Sequence, residues 1–263
     1  MKIIKLSSFE EWEETSIKLI KDIGHKKRTQ KGSTYSDLLF RGQSCESWRL
    51  DTTIERYISK QVSMSLYHQY LQTAKPAFET YTGKKWGLEP SPTNWDNLGT
   101  PPGYEFMLYL RHHGFPTPLL DWSRSPFIAA FFAFQHAVRE ENVAIYTFNE
   151  YYGGAKVGAI GAPTICVCGP YVSSHRRHFQ QQGQYTICKE NNNGTWHYCN
   201  HEEVFRLANT TQDVLTKYLI PYSERHKALS KLDLMNIHAL SLYENEEGLA
   251  ETLAYREIMK RNL

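Results

Sequence analysis

The sequence predicts a single α+β domain, on three observations. Its 263 residues, 41% of them hydrophobic, suffice for one sizeable core. No internal repeat, low-complexity tract or sharp change of composition divides the chain. Short apolar runs of strand length are interspersed with segments whose apolar residues recur every three or four positions.

The elements follow from local chemistry. Ser8-Phe9-Glu10-Glu11 is a capping box that starts a helix over about 8–23, with Phe9, Trp12, Ile17, Leu19, Ile20 and Ile23 as its apolar side. Gly24 is expected to end it, and a basic loop from His25-Lys26-Lys27-Arg28 to Lys31-Gly32 to follow. Leu38 to Gln43 is a buried strand carrying Arg41. From Asp51 to about Tyr81 the spacing is helical, with Pro76 beginning or kinking a helix. Trp86 to Gly103, which includes Trp95, is an ordered loop rather than a linker, and Tyr104 to His113 a short helix.

The stretch from Arg111 to Ala133 organises the chain. Gly114 and Pro116 stop the preceding helix; Leu119, Leu120 and Trp122 form a short strand; Ser125-Pro126 opens a helix over about 127–138, apolar nearly all round. Beyond it, 143–148, 164–168, 184–187 and 214–220 are strands. Gly153-Gly154 and 158–163 are turns, and Asn191-Asn192-Asn193-Gly194 is a hairpin turn. Ser174-His175-Arg176-Arg177-His178 opens a basic, amide-rich loop. Ser223 is expected to cap a helix bearing Leu229, Leu232 and Met235. The last helix spans about 247–259.

Composition bounds the function. A formal charge of +2 argues against a dedicated nucleic-acid or membrane surface. No apolar run is long enough to span a bilayer, and the first residues lack a signal-peptide pattern, so a cytoplasmic location is expected. Five cysteines are an odd number, as expected of reduced thiols. Cys166 and Cys168 are one residue apart, where structural zinc sites use two to four; alternation instead suits one face of a strand. No metal is expected.

Chemistry concentrates at two joints. Arg41 stands near the end of a core strand, where it needs a carboxylate or a bound anion, and its planar fork suits phosphate. Gly42 beside it permits close approach of backbone or ligand. His112 and His113 lie at a helix end, and Asp121, Ser123 and Ser125 where strand becomes helix, beside free amides suited to phosphate. Gln181 and Gln182 just before a strand are placed to orient a ligand hydroxyl or amide.

Phe40-Arg41-Gly42, the block from His112-His113-Gly114 through Leu120-Asp121-Trp122-Ser123 to Pro126, and Gln181-Gln182-Gly183 with Tyr185 together resemble the FRG domain, a bacterial and phage family. The resemblance spans about 34–255 of one domain covering 1–263, with Leu242 to Leu253 similar to a weakened C-terminal motif. Pro118 stands where that family more often has Arg, and Tyr185 where it usually has Phe. The order of Arg41-Gly42, Ser123-Arg124-Ser125 and Gln182 is also similar to ADP-ribosyltransferases of the Arg-Ser-Glu type.

That second resemblance implies a split, mostly antiparallel sheet core surrounded by helices, with NAD as substrate. Arg41, Gly42, His112, Ser123, Ser125 and Gln181 would bind it, and Gln182, His113 and Asp121 would act in catalysis. Gln182 or Gln184 replaces the expected Glu, which removes charge stabilisation of the sugar cation. The expected role is that of an effector, toxin or antiphage component, with a protein or nucleic-acid acceptor and a neutralising partner protein. The alternatives are a non-catalytic nucleotide- or partner-binding module and a metal-dependent nuclease or hydrolase using His112, His113 and Asp121.

Overall fold

A computed structural model describes residues 1–30, 34–58, 60–92, 100–152, 162–169, 177–207 and 213–260. Lys31-Gly32, Trp95, the turns at Gly153-Gly154 and 158–161, and Ser174-His175-Arg176 lie outside the described residues.

In chain order the elements are β1 (Lys2–Lys5), α1 (Phe9–Thr29), β2 (Thr34–Tyr35), β3 (Leu39–Gln43), α2 (Thr53–Tyr57), α3 (Met64–Thr82) and α4 (Tyr104–His112). There follow β4 (Leu120–Ser123), α5 (Pro126–Gln135), β5 (Val143–Tyr152), β6 (Thr164–Cys168), α6 (Arg177–Gln180), β7 (Gly183–Asn192), β8 (Thr195–Tyr198), α7 (His201–Leu207) and β9 (Asp213–Ile220). A 3-10 turn at Tyr222–Glu224 leads to α8 (Arg225–Leu234), α9 (Ala239–Tyr243) and α10 (Glu246–Leu253), which runs into a π-helical turn at Ala254–Met259. The result is a single α+β domain.

The strands form one sheet in the order β1-β9-β5-β3-β4-β7-β6, with β2 paired to β5 and β8 to β7. Every pairing is antiparallel except β1 with β9. One join is narrow: β3 and β4 share a single registered pair, Phe40 with Ser123, then part. Side chains alternate across the strands, so each face carries its own core. On one face, α5 and α1 cover Phe40, Ile145 and Ile220 through Phe9, Trp12 and Phe134. Around β6 and β7, α3 and α4 bury Cys166, Cys168, Tyr185 and Ile187 against Tyr67, Phe106 and Leu110. Leu39, Trp122, Tyr146, Ile165, Cys188 and Leu215 form the core of a third cluster.

Several expectations are corrected. Gly24 does not end α1, which continues to Thr29, so the basic run Lys26, Lys27 and Arg28 is its last turn. Cations there face the negative end of the helix dipole, which offsets the weak propensity of one glycine. Ile17 and Ile20 point to solvent; the buried stripe is Phe9, Trp12 and Ser16. The helical segment after Asp51 is two helices, and Pro76 sits inside α3. Ser223 belongs to the 3-10 turn and caps nothing, because α8 begins at Arg225 without a side-chain cap. Arg177 and His178 lie in α6 rather than a loop. Among the described residues no helix is long and apolar enough to cross a membrane.

Candidate functional site

Where β3 parts from β4, the Arg41 side chain reaches the β4 backbone. Its Nη1 donates to the backbone oxygen of Asp121 at 2.8 Å and stands 3.9 Å from that residue's Oδ2. The carboxylate itself is gripped mainly by Arg111, at the end of α4. Arg111 Nε donates to Asp121 Oδ1 at 3.2 Å and Nη2 to Oδ2. Arg111 Nη1 donates to Thr53 Oγ1 at 2.7 Å, and that hydroxyl also accepts from Thr117 N at 2.9 Å. The clasp therefore ties α2, α4, β3 and β4 together around one carboxylate.

Electrostatics follow from the clasp. Burial pushes the Asp121 carboxyl up, but Arg111, then Arg41 and His112, outweigh it, so the group lies below the ordinary carboxylate range and stays ionised. The Arg41 side chain is 14% exposed. Burial lowers its pKa to about 10; Asp121 works against this, whereas Arg111 and Arg56 add to it. It remains charged at neutral pH, and its Nε, buried, has no hydrogen-bond partner.

Above Arg41 opens a cavity of about 350 Å³, walled by β3, the end of β4, Ala129 and Phe132 of α5, Trp48, Arg56, Gln181 and Tyr243. Two guanidiniums, Arg41 and Arg56, meet a single carboxylate in that wall, Asp121, which Arg111 already grips. Such a space suits a ligand with a doubly charged anionic centre and flat rings.

Of the residues singled out in the sequence, Arg41, Gly42, Asp121, Ser123 and Gln181 line this cavity. Gly42 serves the packing of the sheet: a Cβ there would lie 1.9 Å from Ala129 O and 2.6 Å from Ala133 N. Ser123 stitches the floor, its hydroxyl donating to Gln181 O at 2.8 Å and accepting from Ser125 N at 3.0 Å. Ser125 caps α5, accepting from Ile128 N at 3.3 Å. Gln181 Nε2 donates to Leu242 O at 3.0 Å, which docks the α9 segment against the site and leaves Oε1 for another donor.

The other expected site residues lie elsewhere. Gln182 is exposed, outside the cavity lining, in the left-handed region at φ 47°, where its carbonyl accepts from Arg124 N at 3.0 Å. Gln184 is buried in β7; with its amide oxygen turned to Arg124 it accepts from that guanidinium at 2.9 Å. His113 packs on Tyr109, ring centres 4.3 Å apart, and burial, then Lys84 and Arg177, push its imidazole down toward the neutral form. His112 turns inward, its Nε2 3.0 Å from Tyr185 Oη, which lies 2.7 Å from His178 Nδ1. The hydroxyl that distinguishes Tyr185 from Phe thus joins α4 to α6. Among the described residues no three His, Cys, Asp or Glu side chains are grouped to hold a metal ion.

Sequence reasoning missed Arg111, Arg56 and Trp48. Arg111 carried a signal: a cation at a helix end, ten residues from an Asp on the next strand, is a natural partner for it. Arg56 and Trp48 had none, since each reaches the cavity only through the folding of the segment between β3 and α2.

No curated protein and no solved structure matches the chain. A model of the FRG domain family does match, over residues 36–142, and the segments Gln181–Tyr185 and Leu242–Leu253 lie beyond that span. The matched residues hold Phe40-Arg41-Gly42 and the whole stretch from Arg111 to Pro126, so it is the segment 36–142 that is similar to the FRG domain family.

Proposed function

We propose that the chain binds NAD in the Arg41 cavity and transfers its ADP-ribose to a macromolecule. The observation that carries this reading is Arg41 itself, a buried guanidinium beneath a 350 Å³ cavity, with Ser123 at the end of β4 and Gln181, two residues before β7, beside it. Arg41 and Ser123 follow the order of the transferases that the sequence resembles; the third-motif residue of that resemblance is Gln182, which is exposed, and its neighbour Gln181, on the cavity wall, takes the role in this reading. Arg41 and Arg56 supply the charge that a pyrophosphate needs.

In the reaction, the bond between ribose C1′ and the nicotinamide nitrogen breaks and its electron pair leaves with neutral nicotinamide. A lone pair of the acceptor forms the new bond to C1′, and the acceptor's proton passes to solvent. Arg41 holds the phosphates during this exchange. Gln181 Oε1 accepts from a ribose hydroxyl and presents a partial negative charge to the sugar cation, weaker than a Glu would supply. Asp121, ionised and engaged by two arginines, orients Arg41 and is not free to take a proton. A role as toxin or antiphage effector, with a neutralising partner, accompanies this reading on the family resemblance.

The second reading, a nucleotide-binding module without turnover, is favoured by one feature: the described wall offers no carboxylate other than Asp121. Labelled NAD, incubated with the protein and host extract, separates the two. Nicotinamide release or transfer of label that Arg41→Gln abolishes supports the transferase; tight binding without release supports the module; neither binding nor release refutes both.

A further inference from the structure

A second cleft adjoins the Arg41 cavity. Gln43, Trp48 and Arg56 also line an adjoining cleft of about 280 Å³, completed by Arg49 and Asp51. Two adjoining spaces with Arg56 on the wall they share, Arg41 in one and Arg49 in the other, match a ligand of two ringed halves joined by phosphates.

Trp48 stands on that shared wall, 52% exposed. One exposed indole is ordinary on a protein surface. This one is carried on a turn that is pinned from several sides. Trp48 N donates to Cys45 O at 3.3 Å, Tyr146 Oη donates to Trp48 O at 3.3 Å, and Glu46 N donates to Asn142 O at 2.8 Å. Lys217, from β9, donates to Glu46 O beneath it. A side chain on backbone already fixed loses less freedom on binding. A flat indole face with cations beside it is the arrangement on which a base stacks.

We propose that Trp48 is the base-stacking residue of a second subsite, in which the cleft over Trp48, Arg49 and Arg56 takes the adenosine half of NAD. The nicotinamide ribose half lies in the cavity over Arg41, so the assignment rests on the NAD reading above.

The test is titration of the whole chain with NAD and with nicotinamide mononucleotide, which lacks the adenosine, for the wild type, Arg41→Gln, Trp48→Ala and Trp48→Phe. Trp48→Ala is expected to weaken NAD about 10- to 100-fold, the cost of one lost stack. Its affinity for the mononucleotide changes by less than about threefold, and Trp48→Phe recovers most of the loss, because the aromatic face is restored. NAD binding that needs Arg41 but ignores Trp48 overturns the subsite and leaves the NAD reading standing. Equal losses for both ligands also overturn it. No NAD binding by the wild type overturns both.

Discussion

Gly42→Ala probes the junction on which the site is built. β3 crosses α5 so closely that a Cβ at position 42 would stand 1.9 Å from Ala129 O, where ordinary contact begins near 3.4 Å. The helix would have to retreat by the difference, about 1.5 Å, and the second obstacle, Ala133 N at 2.6 Å, is also backbone. No side chain can swing away to relieve the clash. Overpacking a core costs about 1–3 kcal/mol, occasionally more, and this case belongs at the upper end. With a urea m-value of about 3 kcal/mol per M, a loss of about 3 kcal/mol lowers the unfolding midpoint by about 1 M. Arg41 is the next residue, and a misplacement of about 1 Å in a site can cost about 100-fold in rate, so nicotinamide release should fall as well. A midpoint within about 0.2 M of the wild type, on the order of the measurement error, would refute the packing argument.

Three other expectations concern distinct parts of the molecule. Gly24 lies inside α1, and the nearest atom to a Cβ there would be Arg28 Nη1 at 3.8 Å, so Gly24→Ala should stabilise the protein by about 0.5–1 kcal/mol in the same denaturation assay. Asp121→Asn leaves Arg41 and Arg111 without their counter-charge; since the Asp121 side chain is 39% exposed, the cost at neutral pH is about 2 kcal/mol, below that of a fully buried pair. Because Asp121 has a lowered pKa in the folded state, its contribution is complete above the ordinary carboxylate value and is lost as pH falls through the folded one. The stability gap between wild type and Asp121→Asn, followed by urea unfolding against pH, should therefore narrow below about pH 4. Gln181→Glu places a full charge where the sugar cation forms, and nicotinamide release should rise about 100-fold if the chain is a transferase; an unchanged rate would move the third-motif role away from position 181.

Much of the fold is legible in the sequence where the signal is local. Ser8 and Ser125 cap the helices that their motifs predict, and Leu119 to Trp122 gives a strand leading into the buried α5. The demand that Arg41 find a carboxylate or an anion is also visible, since a charge in a core strand cannot stand alone. What answers that demand is not: Asp121 serves through its backbone oxygen, a contact that exists only because β3 and β4 part after one pair. His112 and His113 cannot be told apart by sequence, because neighbouring residues at a helix end point about 100° apart and only the packing of α4 decides which turns inward. β1 is invisible for a similar reason. Lys-Ile-Ile-Lys has no alternation of its own, and its strand form is imposed by the parallel ladder with β9.

The most direct measurement is calorimetric titration of NAD into the wild type and Arg41→Gln. Arg41 is the residue on which the cavity, the proposed phosphate contact and both functional readings converge. The account predicts that the wild type binds NAD and that Arg41→Gln weakens binding by about tenfold or more, as expected when a charge-assisted contact to phosphate is lost. Equal affinity in the two proteins would place any NAD elsewhere on the molecule and contradict the assignment of this cavity.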